Sequence, residues 1–187
     1  MSRLSDTLMA TMNRAFTFLR TVRSQAFPSR LHLRLCLIAL GIGILVRMLF
    51  LIDFPFAFGH PDTSQYTIPA ARILHGQPFI PDIIRVVGTY VYFVVLSLKL
   101  FGPNSLSIIV AQSLLGIMSG ILVWKLLIGL ARNPILAAIG TLLFLLLPRE
   151  LFYEHIVLGE SLYVFIILAF CYLSFKLWRR PSWSVSL

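Results

Sequence analysis

Long apolar runs separated by short polar breaks dominate this chain. Residues 35–52 are apolar except for Arg47, residues 106–130 are apolar apart from Lys125 and a few small polar side chains, and residues 161–177 end at Trp178-Arg179-Arg180-Pro181. About 20 apolar residues suffice to cross a bilayer as a helix, so each run predicts a span. Residues 135–147 form a shorter run that extends through Leu151-Phe152 into a fourth span, with 148–159 read as a polar break. Arg132-Asn133-Pro134 predicts a tight turn before it. Between the first two long runs, residues 53–104 are mixed and carry turn signals at Gly59-His60-Pro61, Gly76-Gln77-Pro78 and Gly102-Pro103. Within them, 86–101 is apolar, short, and carries Lys99. No internal repeat or low-complexity tract is visible.

Residues 1–34 read differently. They hold six Arg and one acid, Asp6. Leu4, Leu8, Met12, Phe16 and Leu19 recur at helical spacing, with Arg14, Arg20 and Arg23 elsewhere on the helix and Ser5 or Asp6 placed to cap the start. This is a basic amphipathic helix of the kind that lies on an anionic membrane surface, or else a plain basic tail. The basic stretch is too long for a signal-peptide n-region and no small-residue cleavage site follows the apolar run, so the first span reads as a retained signal anchor.

Composition agrees with lipid as the solvent. Of 187 residues, 58% are hydrophobic and 12% charged, against about a quarter charged in soluble domains. A soluble globule this small could not hide that much apolar surface, and disordered chains are polar and poor in aromatics. The net charge of +9 would point to nucleic acid in a soluble protein. Here the cations flank apolar runs and no nucleic-acid motif is present, so membrane topology accounts for them. Cys36 and Cys171 both lie within apolar runs, which gives no disulfide framework. His60, His75 and His155 lack zinc spacing, so no metal site is expected.

Charge parity then fixes the expected topology. If 86–101 crossed the membrane, the Lys125/Arg132 connection and the Lys176/Arg179/Arg180 tail would lie outside, and the acidic 150–160 stretch inside. All three oppose the positive-inside rule. If 86–101 does not cross, all three reverse. The chain therefore reads as an all-α integral membrane protein of about four transmembrane helices. Juxtamembrane helices occupy the first outer loop, and both termini are cytoplasmic.

The outer loops hold the candidate chemistry. Asp62 precedes a helix over 63–74 that carries Tyr66, Ala70 and Leu74 on one face. It reads either as the helix N-cap or as a catalytic carboxylate at the membrane surface. Glu160 opens the last span and reads either as a first-turn acid or as a site residue, since ionisable groups at membrane depth are costly. Topology puts Asp62, Arg85 and Glu160 on one side at similar depth. Two acids and a guanidinium suit a phosphate-bearing lipid, because Arg binds phosphate bidentately. Arg47 is expected to snorkel outward or to serve the site. Gln112 and Ser113 are expected in interhelical hydrogen bonds, and Gly116 and Gly120 in close packing. Tyr90 and Tyr92 read as interfacial anchors. No polar stripe through the spans is evident, which argues against transport.

The order of these features resembles the N-terminal module of C-type glycosyltransferases, most of all the protein-mannosyltransferase-like group, family 39. The resemblance runs over roughly 35–178. It rests on Pro61-Asp62-x-x-x-Tyr66, Ala71-x-Ile73-Leu74-x-Gly76, Arg85 before Gly88-x-Tyr90, Leu100-Phe101-Gly102, Gln112-Ser113-Leu114 and Gly159-Glu160-Ser161-Leu162. It implies transfer of a sugar from a polyprenyl-phosphate donor to an acceptor, with inversion, on the outer face of a bacterial inner membrane. It implies Asp62 as base, with Arg85, Glu160, Tyr66 and Tyr90 as substrate-binding residues, and no cofactor beyond the lipid-linked donor. Thr63 stands where many members have Glu, and 85–90 lacks the prolines of the usual loop. Members run to several hundred residues, so the resemblance implies a truncated module, 35–178, between a basic segment 1–34 and a tail 179–187. Such a module is too short to act alone and needs a chain that supplies further helices. The alternative from a different class is a small non-catalytic membrane subunit that binds a partner or lipid through the same helices.

Overall fold

A computed structural model of the chain describes residues 29–57, 59–78 and 88–179. Residues 1–28 of the basic amphipathic segment expected over 1–34, Arg85, and the tail beyond Arg179 lie outside the described residues. The described part is helical, with no strand. In order, α1 is Ser29–Asp53, α2 Thr63–Leu74, α3 Gly88–Phe101, α4 Ser105–Ala131, α5 Pro134–Leu145, α6 Pro148–Glu154 and α7 Glu160–Trp178. Helices α1, α4 and α7 are long and apolar enough to cross a membrane. The α5–α6 pair passes the same test together but bends by 49° at its break. With α3 only 14 residues long, the described residues hold three helices that match membrane spans in length and apolarity, or four when the bent pair counts as one.

Local sequence explains the element ends. Asn104 caps α4, its Oδ1 accepting from the Ser107 backbone N–H and hydroxyl at 2.9 Å each. Gly102, at φ +106°, supplies the left-handed turn between α3 and α4. Asn133 caps α5 through the N–H groups of Ile135 and Leu136. Pro134 takes the first turn of α5, where a missing N–H costs nothing.

The expected polar break at 148–159 is corrected here. Pro148 follows the 49° bend at 146–147 and starts α6, because proline suits the first helical turn. The non-helical stretch after it is only 155–159, and every residue in it is buried. Irregular backbone at membrane depth is tolerated only where protein covers it.

Helix α4 is central, packing on α5, α7, α3, α1 and α6. In lipid, helix association rests on close packing and polar contacts, because the surrounding solvent is itself apolar. Gly120 admits the Leu145 side chain, and Gly129 admits the Phe175 ring. Gly116 lies about 16 Å along α4, at 1.5 Å per residue. It faces a buried ion pair: a Cβ built there would collide with Glu154 Oε1 and stand 2.8 Å from Arg47 Nη2.

Arg47 therefore does not snorkel outward. It is 2% exposed and turns inward to Glu154. Together with Gln112 it gives the spans a polar core that the one-dimensional pattern does not reveal. Gly116→Val is expected to lose about 3 kcal/mol or more, combining overpacking with disruption of a buried pair. Reversible unfolding in mixed detergent–SDS micelles, followed by circular dichroism, measures this. Wild-type stability in that variant would contradict the packing described.

Candidate functional site

Two polar assemblies share the end of the bundle where α1 finishes and α7 begins. The deeper one is the ion pair. Glu154 Oε1 accepts from Arg47 Nη2 at 2.6 Å and from Nε at 3.1 Å. Arg47 Nη1 donates to the carbonyls of Gly43 at 3.2 Å and Leu145 at 3.1 Å. One guanidinium thus joins α1, the end of α5 and the end of α6. The Leu145 carbonyl belongs to the last turn of α5, where helix carbonyls lack partners of their own.

Gln112 carries the next layer. Its Nε2 donates to the backbone carbonyls of Glu154 at 2.9 Å and Ile156 at 2.8 Å. Its Oε1 accepts from the Tyr90 hydroxyl at 2.8 Å. The glutamine is fully buried, and these bonds satisfy the irregular backbone that follows α6. The expected interhelical role of Gln112 is realised here. Ser113, one residue further, is buried beside the Glu154 carboxylate.

Tyr90 corrects an expectation. It is not an interfacial anchor, because its side chain is fully buried; Tyr92 is 56% exposed. The Tyr90 ring packs edge-on to Tyr66 at 4.9 Å between centroids and shares a core with Ala70, Val91, Val94, Val95, Ile108 and Val157. This core ties α2 and α3 to α4 and to the buried 155–159 connection. Tyr90 is thus a packing and positioning residue, out of direct reach of any substrate at the surface.

The shallower assembly contains Asp62, Tyr66 and Glu160. Asp62 holds the N-cap position of α2, yet its side chain makes no capping hydrogen bond. Its Oδ1 accepts instead from Gln65 Nε2 at 2.9 Å. His60 Nδ1 accepts from the Asp62 backbone N–H at 3.2 Å and lies 3.8 Å from Oδ2. The carboxylate is 49% exposed. Asp62 therefore sits where the cap reading puts it without performing the capping bond.

Glu160 begins α7, and its Oε2 is buried with no hydrogen-bond partner. Burial raises the Tyr66 hydroxyl above the usual phenol range, and Tyr163, Glu160 and Asp62 push it the same way. Burial also raises Tyr90, with Glu160 and Tyr66 contributing. These mutual influences bring Asp62, Tyr66, Tyr90 and Glu160 into one electrostatic neighbourhood. Arg85, the remaining sequence candidate, lies outside the described residues.

Three participants carry no assigned role in the sequence reading. Glu154 counts there only as one acid of the 150–160 stretch. Gln65 offers only its three-residue spacing from Asp62. Tyr163 lies three residues after Glu160, one turn along the same helix, and that spacing could have flagged it.

Gln112→Leu is expected to leave the Tyr90 hydroxyl and two backbone carbonyls without their bonds. At about 1–3 kcal/mol for each buried polar group stranded, the variant should lose at least about 3 kcal/mol in SDS unfolding. A loss below about 1 kcal/mol would mean that Gln112 does not hold the 155–159 connection.

The chain matches no protein-family model, no curated protein and no solved structure.

Proposed function

We propose that the chain is the N-terminal module of a membrane glycosyltransferase that uses a polyprenyl-phosphate sugar. Asp62 carries the reading. A carboxylate at a helix N-terminus normally accepts from the first backbone N–H groups. This one is instead held by Gln65, half exposed, in the neighbourhood of the buried Glu160 oxygen. A carboxylate left open in this way is free to accept a proton from an incoming group.

In the reaction, the Asp62 carboxylate takes the proton of an acceptor hydroxyl. The acceptor oxygen attacks the anomeric carbon from the face opposite the leaving group, so the configuration inverts. The bond between that carbon and the phosphate oxygen breaks, and polyprenyl phosphate departs with the bonding pair. Arg85 would hold the departing phosphate through two parallel hydrogen bonds. Glu160 and Tyr66 would contact the sugar, and Tyr90 would hold Tyr66 from beneath. The site would face the outer side of the membrane, with cations gathered on the cytoplasmic side.

A non-catalytic membrane subunit is the competing reading. It would need a docking face other than Gly116 and Gly120, because Glu154, Arg47 and Leu145 already fill the space beside those glycines.

The test uses the full chain in its native membrane, with undecaprenyl-phosphate mannose as the first donor probe. Asp62→Asn should keep donor retention, read by native mass spectrometry, and lower sugar release about 100-fold or more, the usual weight of a general base. Arg85→Ala should weaken retention itself. Unchanged turnover in Asp62→Asn, with expression preserved, would remove Asp62 from the chemistry.

A further inference from the structure

The opposite end of the bundle carries a different pattern. Arg30, Arg34, Lys125, Arg132, Lys176 and Arg179 gather there, all exposed. The five acids among the described residues, Asp53, Asp62, Glu150, Glu154 and Glu160, all belong to the other half. Among the described residues, no acid neighbours these six cations.

Lys125 is the informative member. It lies six residues before the end of α4, about 9 Å inside the helix terminus at 1.5 Å per residue. Its Nζ stands 5.5 Å from the centre of the Tyr172 ring on α7, and it is within electrostatic reach of Cys36 on α1. An exposed ammonium therefore lies on α4 against α7, one residue from Trp124, against whose cluster Leu35 and Cys36 of α1 pack, and α1 and α7 have no substantial contact with each other. Lys176 lies one turn beyond Tyr172 on the same face of α7. Beyond it, Arg179 packs its guanidinium 4.4 Å from the Phe175 ring centre and donates from Nη2 to the Gly129 carbonyl. Trp178, 80% exposed, stands at the same level, as an interfacial aromatic does.

We infer that the α1–α4–α7 groove seats one anionic phospholipid. Its phosphate lies between Lys125 and Lys176, and its acyl chains run along the exposed apolar flanks of α1 and α7. Charge complementarity selects the occupant. Basic pockets between transmembrane helices take anionic headgroups, and each basic residue near such a surface contributes roughly a fivefold gain in affinity. This site is remote from Asp62 and does not rest on the glycosyltransferase reading.

The test is native mass spectrometry of the full chain released from detergent with palmitoyl-oleoyl phosphatidylglycerol or palmitoyl-oleoyl phosphatidylcholine. Wild type should retain one phosphatidylglycerol in preference to phosphatidylcholine, and 10 mM inorganic phosphate should not displace it. Lys125→Gln with Lys176→Gln should weaken phosphatidylglycerol retention about 25-fold while helicity by circular dichroism stays unchanged. Lys125→Arg with Lys176→Arg should restore it. Equal retention of the two lipids by wild type, displacement by free phosphate, or unchanged retention in the glutamine pair would overturn the proposal. If the glutamine pair fails to fold, Lys176→Gln alone should still cost about fivefold.

Discussion

A single buried ion pair sets the terms for the rest of this bundle. Arg47 and Glu154 are each almost wholly hidden, where an unpaired charge would be very costly. Their mutual contact is strong, yet a buried pair on its own is weak grounds for stability. What makes it tolerable is the number of partners. The guanidinium also reaches the Gly43 and Leu145 carbonyls, and Gly116 removes the side chain that would otherwise fill the space. The pair consequently works only in one register of α1, α4, α5 and α6. It acts as a specifying contact more than as a source of net energy.

That register has a consequence for the end of the bundle that holds Asp62. Fixing Glu154 fixes the start of the irregular 155–159 connection, and Gln112 satisfies its carbonyls. The same glutamine accepts from Tyr90, whose ring supports Tyr66. A chain of contacts therefore runs from the ion pair to the α2–α3 layer, and Glu160 follows the pinned connection directly. The surface residues proposed to act on a substrate rest on a base set well below them.

Much of this architecture was legible in one dimension. The runs ending near Asp53, Ala131 and Trp178 announced three long helices because lipid demands length and apolarity together. The N-cap position of Asp62, the turn at Gly102 and the short α3 followed from equally local rules. What stayed hidden were relations between distant residues. Periodicity cannot say that Arg47 turns inward, because an arginine near a helix end has the reach to leave the membrane. Nor can it distinguish a buried Glu154 from a loop acid, since burial arises only when α6 folds against α4. Tyr90 looked like an interfacial aromatic for the same reason: its partner, Gln112, is 22 residues away. Of the candidate site, topology groups Asp62 and Glu160 with Arg85, which lies outside the described residues, whereas Tyr66 enters only through the family resemblance. The support beneath them was not legible.

The most direct test of the central role given to Arg47 and Glu154 is a double-mutant cycle on those two positions. Arg47→Met and Glu154→Met, singly and together, would be measured by SDS unfolding in mixed micelles. Each single variant strands a buried charge and should lose about 3–5 kcal/mol, whereas the double variant should recover most of that loss. Losses that simply add, to within about 0.5 kcal/mol, would mean that the two residues do not meet. The organising role given to the pair would then be wrong.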